Sequence, residues 1–272
     1  MNNKAAKIVV FTDLDGTLLD ESYDYQKAKS FIDQLLVLDV PIVFCSSKTR
    51  AEIEFYRKEL GIGDPFISEN GSAIFIPRGY FQFDYSFTRQ TEKYNVIELG
   101  TDYSVVREKL DKVKKSVGAK IVGFGDMTVE EIAEDSGLPL RLARLAKRRQ
   151  FDEPFRIIEG NEKEVMDSLV TEGLRYTRGG RYIHIIGDSD KGKATGILKD
   201  LYARGFSELV TFGLGDSPND FSMFEVVDVP ILVSETNCET KFCAIWSELL
   251  CTIRGIMSPF PKFLSQKVGE CE

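Results

Sequence analysis

Lys7-Ile8-Val9-Val10-Phe11-Thr12-Asp13-Leu14-Asp15-Gly16-Thr17-Leu18-Leu19 decides the reading of this chain, because an apolar run ends there in two carboxylates one residue apart. Ile8 to Phe11 read as a strand buried on both faces of a parallel sheet. Asp13 and Asp15 then fall just past its carboxyl end, the edge of an open α/β sheet where ligands bind. Two carboxylates crowded into one volume are costly unless a cation sits between them or one is protonated. The stretch therefore reads as a site for a hard cation, Mg²⁺ being the ion that oxygen ligands suit, or as an Asp-rich turn capping the next helix.

Outward from that strand, Ala28, Phe31, Ile32, Leu35 and Leu36 repeat at helical spacing within 24–38, and Pro41 to Cys45 form a second buried strand. It ends in Ser46-Ser47-Lys48-Thr49-Arg50, which is either an anion site of hydroxyls and helix N–H groups or a plain Ser/Thr cap. A helix to about Leu60, a strand over 65–69 and an Asn70-Gly71 turn into Ser72 to Ile76 complete a β-α-β-α-β series. From about Phe83 the grammar changes. Strands are predicted over 94–99, 121–124, 156–159 and 182–186, alternating with helices over 103–117, 128–136, 139–148 and 161–173. The reading is an α/β core over 1–83 and 188–272, interrupted by a separate α+β unit over 84–187. The parent pattern resumes at Asp190-Lys191-Gly192, opening a helix to Arg204, then a buried strand over 209–213 that ends in Leu214-Gly215-Asp216-Ser217-Pro218-Asn219-Asp220, and a short strand over 229–233.

Composition limits the partners. With 43 Asp and Glu against 35 Lys and Arg, the net charge is −8, so no basic face for nucleic acid is implied. No run approaches the roughly 20 apolar residues of a membrane span and no signal region precedes the first strand, so a cytoplasmic soluble protein is expected. Five cysteines, Cys45, Cys238, Cys243, Cys251 and Cys271, lack C-x-x-C spacing and read as reduced thiols. Gly187 to Ala194 nearly spells a P-loop, but Ala194 stands where the Mg²⁺-binding hydroxyl belongs. Gly123-Phe124-Gly125-Asp126 echoes Gly213-Leu214-Gly215-Asp216, yet the neighbouring segments do not repeat.

Four strand ends thus carry, in order, Asp13/Asp15/Thr17, Ser46, Lys191, and Asp216/Asp220. In that order the chain resembles the haloacid dehalogenase (HAD) superfamily of phosphatases. The resemblance implies a Rossmann-like core and an inserted cap of the second class in its α+β form (C2B), since the unit lies after the third strand. It implies Asp13 as nucleophile forming a phosphoaspartate and Asp15 as the acid and base. Mg²⁺ would be held by Asp13, the backbone carbonyl of Asp15, and Asp216. Lys191 and Ser46 would hold the phosphoryl oxygens, with Thr17, Asn219 and Asp220 supporting. The acids and a dianionic phosphate outweigh Mg²⁺ and Lys191, which predicts basic residues from the insert.

Within that superfamily, Ser46 to Glu52, Ser68-Glu69-Asn70-Gly71, Gly123 to Met127, Arg149 to Phe155 and Gly179 to His184 resemble the mannosyl-3-phosphoglycerate phosphatases. That likeness implies hydrolysis of this small molecule to mannosylglycerate, a compatible solute, and substrate contacts at Ser47, Lys48, Glu69, Asn70, Arg149, Glu153, Arg181 and His184. Each has a plainer reading: His184 as a core histidine, Lys147-Arg148-Arg149 as a solvated helix end, Gly179-Gly180 as a turn. The alternatives are a phosphatase for glucosyl-3-phosphoglycerate or another sugar phosphate, a mutase, and a non-enzymatic phospho-receiver, which would lack an inserted lid. The region after Ser234, with Trp246, Leu249, Leu250 and Ile253 at helical spacing, carries no readable chemistry.

Overall fold

The computed structural model describes residues 7–233, apart from 180 and 207, and 249–257, apart from 255. Trp246, Gly180, Cys238, Cys243 and Cys271 lie outside them. Strand β1 (Lys7–Thr12) leads into helix α1 (Gln26–Val37), β2 (Ile42–Cys45), α2 (Arg50–Leu60), β3 (Phe66–Ser68) and β4 (Ala73–Pro77). Then follow β5 (Arg89–Gln90), β6 (Tyr94–Glu98), α3 (Tyr103–Val117), β7 (Lys120–Gly123), α4 (Val129–Ser136) and α5 (Leu140–Ala146). The order continues with β8 (Glu153–Glu159), α6 (Glu162–Thr171), β9 (Arg175–Gly179), β10 (Tyr182–Ile186), α7 (Lys191–Gly205), β11 (Leu209–Gly215), α8 (Phe221–Phe224) and β12 (Val229–Leu232).

Eight strands form one sheet in the order β12-β11-β1-β2-β3-β4-β6-β5. The five strands from β12 to β3 run parallel, and β4, β6 and β5 are antiparallel additions at the far edge. The opening apolar run reads continuously because β1 is covered on both sides: Ile8 and Val10 join one buried cluster, Val9 and Phe11 the other. A second sheet, β7-β8-β10-β9, is antiparallel throughout and packs α3 and α6 through Val106, Leu110, Phe155, Val165, Leu169 and Ile185. Among the described residues, no helix is long and apolar enough to cross a membrane.

The sheets sharpen the limits of the inserted unit. Strand β6, which the sequence reading assigned to the insert along with everything from 84, pairs with β4 in the large sheet. Tyr94 explains why: its ring meets Phe66 and Phe75 edge-on at 5.5 and 5.7 Å, so the segment completes an aromatic cluster of the core. Leu99 and Gly100 donate their N–H groups to Ser72, and Gly187 passes so close to Thr101 that a Cβ would lie 2.3 Å from its hydroxyl. Two chain crossings side by side lead us to propose the insert as roughly 101–187. Strand β9 escaped sequence reading because Arg175-Tyr176-Thr177-Arg178 has no buried face to mark it.

Two features carry the unit over the sheet edge. Helices α4 and α5 share a buried cluster with the core residues Ile53, Tyr56 and Phe66, and the Tyr23 hydroxyl donates to the Ser136 carbonyl at 2.9 Å. After β3 the chain makes a tight 3₁₀ turn, Glu69–Gly71, in which Glu69 and Asn70 both adopt left-handed backbone angles (φ +48° and +56°). Gly71 follows at φ +90°, and a Cβ there would lie 2.0 Å from the Asp190 carbonyl oxygen. Gly71→Ala is expected to lower stability by about 2 kcal/mol or more, because both the dihedral and the backbone contact oppose a side chain. Gly61→Ala, at φ +71° with nothing within 4 Å, is expected to cost only about 1 kcal/mol. Urea denaturation of the two variants checks the difference, and equal losses would contradict the close approach.

Candidate active site

The parallel order brings the ends of β1, β2 and β11 and the start of α7 to one edge. Asp13 is held there by its own N–H, which donates to the Leu214 carbonyl at 2.8 Å, and is 4% exposed. Asp190 caps α7 by accepting from Lys193 N–H at 2.8 Å, which sets Lys191 at the helix's first position. Its Nζ lies 2.9 Å from Asp13 Oδ1 and 2.6 Å from Asp220 Oδ1, with the side chain fully buried. The other oxygen of Asp220 accepts from the N–H groups of Asp216 and Ser217 at 3.0 and 3.1 Å. Gly215 permits this, since a Cβ there would lie 2.4 Å from the Asp220 carboxyl carbon.

Asp216 stands across from Asp13, taking the Thr17 hydroxyl at 3.3 Å. Gly16 (φ +71°) makes room for it, because a Cβ would meet the Asp216 carboxylate at 2.4 Å. Oxygens of Asp13, Asp216 and Asp220 fall within 4.8 Å of one another. Burial pushes the Asp13 carboxyl up to about 7, against the pull of Lys191 and with Asp220, Asp15 and Asp216 adding to the rise. Asp216 rises to about 6, again by burial and then by Asp220. Against the penalty of burial, Asp13 and Asp220 hold Lys191 firmly protonated. Asp13 Oδ1 meets the Lys191 ammonium at contact distance yet accepts no hydrogen bond, so that attraction is Coulombic rather than directed. A set of oxygen donors with one buried oxygen left without a hydrogen bond fits a hard divalent cation. Asp220 is already committed to Lys191 and two N–H groups, which leaves Asp13 and Asp216 as the carboxylates open to it.

Asp15 sits at the cavity rim with its side chain 41% exposed, and Lys48 reaches it at 2.9 Å. Lys48, expected among the substrate contacts, lines the cavity while being largely buried beside Glu52 at 3.7 Å and the rings of Tyr23 and Tyr56. Despite burial, Asp15 and then Glu52 keep it charged. Ser46 is fully buried at the end of β2, its carbonyl accepting from Asn70 N–H at 3.0 Å. Ser47 gives its carbonyl to Arg149 at 2.8 Å. The near-P-loop resolves against nucleotide binding: Lys193, the residue such a loop would use, turns away to the Asp188 carbonyl at 3.0 Å.

Asp13, Asp15, Ser47, Lys48 and Asp216 line a cavity of about 560 Å³, with Lys191 and Ser46 buried behind its wall. Asp13, Asp15 and Asp216 form its floor, and Arg149, Arg181 and His184 are on the side of the insert. Basic residues from the insert are therefore present, as the charge tally predicts. Arg149 is paired with Asp152 at 3.0 Å, whereas Arg181 has no ion-pair partner among the described residues. Three expected substrate contacts lie elsewhere. Both oxygens of Glu153 are filled inside the insert by Tyr103 (2.6 Å), Arg107 (2.6 Å) and Gly125 N–H (2.9 Å). Glu69 accepts the N–H groups of Gln150, Phe151 and Asp152 at 2.8–3.1 Å, and burial lifts it to about 7. The Asn70 amide bridges Asp152 Oδ2 (2.6 Å) and Asn219 (3.0 Å). Glu69 and Asn70 are fasteners between the core and the insert, Glu153 is held within the insert, and none of the three lines the cavity.

Asp152 was not singled out in the sequence, although it holds His184, Arg149 and Asn70 at once. Nothing in the local sequence separates it from Glu153; only the pairing of β8 with β10 brings it to the histidine. Tyr23 was missed likewise. Cys45 is buried, its thiol pushed up to about 12 by burial, as an inert structural thiol would be.

A family model of haloacid dehalogenase-like hydrolases matches residues 10–246. A protein of Methanococcoides burtonii described as a glucosyl-3-phosphoglycerate/mannosyl-3-phosphoglycerate phosphatase is 47% identical over 232 residues, 84% of this chain and 85% of its own. A mannosyl-3-phosphoglycerate phosphatase of Pyrococcus horikoshii is 44% identical over 225 residues, covering 83% and 90%. Among solved structures, the HAD subclass IIB sugar phosphatase BT4131 superposes with a TM-score of 0.58 at 16% identity, over 92% of this chain and all of its own, a likeness of fold.

Replacing Asp220 by Ala leaves the Lys191 ammonium with one carboxylate and strips two buried N–H groups of their acceptor. We expect a loss of about 3–5 kcal/mol in urea unfolding. An unchanged midpoint would contradict the structural role given to Asp220.

Proposed function

The chain belongs to the haloacid dehalogenase-like hydrolases, and on that premise we propose that its cavity hydrolyses mannosyl-3-phosphoglycerate, with Asp13 as the nucleophile. The chain is a phosphoric monoester hydrolase by family and by its phosphatase relatives. The observation that carries the residue assignment is the placement of Asp13 on the cavity floor, 2.9 Å from the buried ammonium of Lys191 and beside Asp216. A phospho-receiver is set aside by the family and by the long insert.

Phosphate monoesters are the slowest of biological hydrolyses, needing up to about 10²¹-fold acceleration. Splitting the barrier through a covalent intermediate and neutralising charge are the means a protein has. In the first step an Asp13 oxygen forms a bond to phosphorus while the bond from phosphorus to the glyceryl oxygen breaks. Asp15, exposed at the rim, gives its proton to that leaving oxygen. In the second step Asp15 takes a proton from water, the hydroxide oxygen bonds to phosphorus, and the acyl phosphate releases Asp13 as a carboxylate. Lys48 steers Asp15 through the 2.9 Å contact, and Lys191 with the Ser46 hydroxyl offers donors to the phosphoryl oxygens. Asp13, Asp216 and the Asp15 backbone carbonyl would hold Mg²⁺, which supplies the positive charge that lets a carboxylate approach a phosphate dianion.

Arg181, a cation at the cavity with no ion-pair partner among the described residues, suits the glycerate carboxylate. The unit over 101–187 then serves as the lid that excludes water and reads the leaving group. Glucosyl-3-phosphoglycerate is the second reading, favoured by the names of the M. burtonii and Persephonella marina relatives, which include both epimers.

Asp13→Asn is expected to abolish phosphate release while the far-UV circular dichroism and melting profile stay native-like; turnover near that of the parent protein would sink the nucleophile assignment. EDTA is expected to stop phosphate release and added Mg²⁺ to restore it, and activity that persists under chelation would rule out the metal role. Arg181→Ala is expected to raise KM for a glycosyl-3-phosphoglycerate about 10-fold or more relative to an aryl phosphate, measured by steady-state kinetics on both. Equal effects on the two substrates would take the carboxylate away from Arg181.

A further inference from the structure

The chain has a single histidine, and its surroundings are those of an oriented functional group rather than of a core residue. Along β10, Ile183 and Ile185 pack into the insert's apolar core, so His184 projects from the opposite face, toward the cavity. The β8–β10 register sets Pro154 beside His184, and Asp152, two residues earlier, lies on the same side of its chain. His184 Nδ1 is 3.0 Å from both carboxylate oxygens of Asp152. A carboxylate that takes further donors from Asn70 Nδ2 (2.6 Å) and Arg149 (3.0 Å) can only accept, so Nδ1 must carry the hydrogen. Despite full burial, Arg149 and His184 keep Asp152 below the ordinary carboxylate range. The Glu69 carboxylate then fixes the Asp152 backbone by taking its N–H at 2.9 Å. The opposite edge of the ring, Nε2, has no protein hydrogen-bond partner among the described residues, and His184 lines the cavity.

We propose that Asp152 is a positioning residue that locks His184 in the Nδ1–H tautomer, so that Nε2 is presented to the cavity as the contact for a hydroxyl of the substrate's non-phosphate part. In the uncharged ring that nitrogen is an acceptor, and a sugar or glyceryl hydroxyl supplies the matching donor. The division of labour follows from the neighbours: Arg181 and Arg149 are donors only and suit a carboxylate, whereas an acceptor among them selects a hydroxyl. A second link points the same way. The Asn70 amide that holds Asp152 also accepts from Asn219, and Asn219 takes the hydroxyl of Ser217 at 2.7 Å. The histidine's orientation is thereby tied to the loop that carries Asp216 and Asp220. The inference rests on the phosphatase reading of the cavity.

Histidine-selective ¹⁵N labelling tests it directly, because one histidine gives one pair of ring nitrogen signals. The free protein is expected to show a protonated Nδ1 and a lone-pair Nε2, and mannosylglycerate is expected to shift Nε2 while orthophosphate alone does not. A protonated Nε2 with a bare Nδ1 would overturn the Asp152 role. In kinetics, His184→Asn keeps an amide nitrogen at the place of Nδ1 and removes the cavity edge. Its kcat/KM for the glycosyl-3-phosphoglycerate is expected to fall about tenfold further than that for p-nitrophenyl phosphate, chiefly through KM. Asp152→Asn is expected to loosen the tautomer in the same spectrum, a change that a merely structural aspartate would not produce. Turnover of the glycosyl-3-phosphoglycerate with an unmoved Nε2 and equal losses on both substrates would overturn this inference and leave the function standing. Absence of turnover on any glycosyl-3-phosphoglycerate would overturn both.

Discussion

A lysine ammonium buried away from solvent must be neutralised on the spot, and that single requirement organises the molecule's centre. Lys191 has no exposed atom to spare and finds two carboxylates, Asp13 from the first strand and Asp220 from the far side of β11. Removing a charge from water costs several kcal/mol, recovered only if the partners are close and themselves well bonded. Hence Asp220 takes two backbone N–H groups on its other oxygen, and Gly215 is reduced to a hydrogen to admit it. Parallel strands bring these partners together from positions 13, 191 and 220, because parallel connections put every strand's carboxyl end on one edge. Among the described residues, Asp13, Asp15, Asp216 and Asp220 meet Lys191 and a Lys48 that is shared with Glu52, so acids outnumber cations there and a divalent cation would offset the excess.

The same logic of satisfied burial governs the join between core and insert. Glu69 and Asn70 adopt left-handed backbone angles that cost of order 1–3 kcal/mol each when held by non-glycine residues. What offsets that strain is visible: Glu69 collects three backbone N–H groups of residues 150–152, and Asn70 connects Asp152 with Asn219. A strained turn in the core thus fixes a loop of the insert over the cavity. Glu69 and Asn70, which the family resemblance implies as substrate contacts, are engaged in that fastening.

The placement of the floor residues was legible in the sequence, and that of the roof residues much less so. Asp13, Ser46, Lys191 and Asp216 each follow a strand or open a helix whose apolar pattern is unmistakable, so their common edge could be read from order alone. Helix α3 was readable to the residue because Asp102 caps it and Gly118 ends it in the left-handed conformation. The insert's contacts were not, since they depend on antiparallel register. Which of Asp152 and Glu153 meets His184 is decided by a one-residue offset across β8 and β10, and a strand's two faces exchange under such a shift. Strand β6 was misplaced for a related reason: Tyr94 and Val96 belong to the core only because β4 turns back beside them.

Electrostatic placement gives the roof its logic. On the floor every cation is matched, Lys191 by Asp13 and Asp220, Lys48 by Asp15 and Glu52. On the roof Arg149 is matched by Asp152, and Arg181 is left facing the cavity. Matched cations shape the field and hold carboxylates in place; an unmatched one spends no energy releasing a protein partner when an anionic ligand arrives. The cavity therefore has a floor on which each lysine is held between carboxylates, and a roof on which Arg181 keeps a free valence among the described residues. On the function proposed above, reaction and selectivity fall to opposite walls, which the strained turn at Glu69 and Asn70 ties together through residues 150–152.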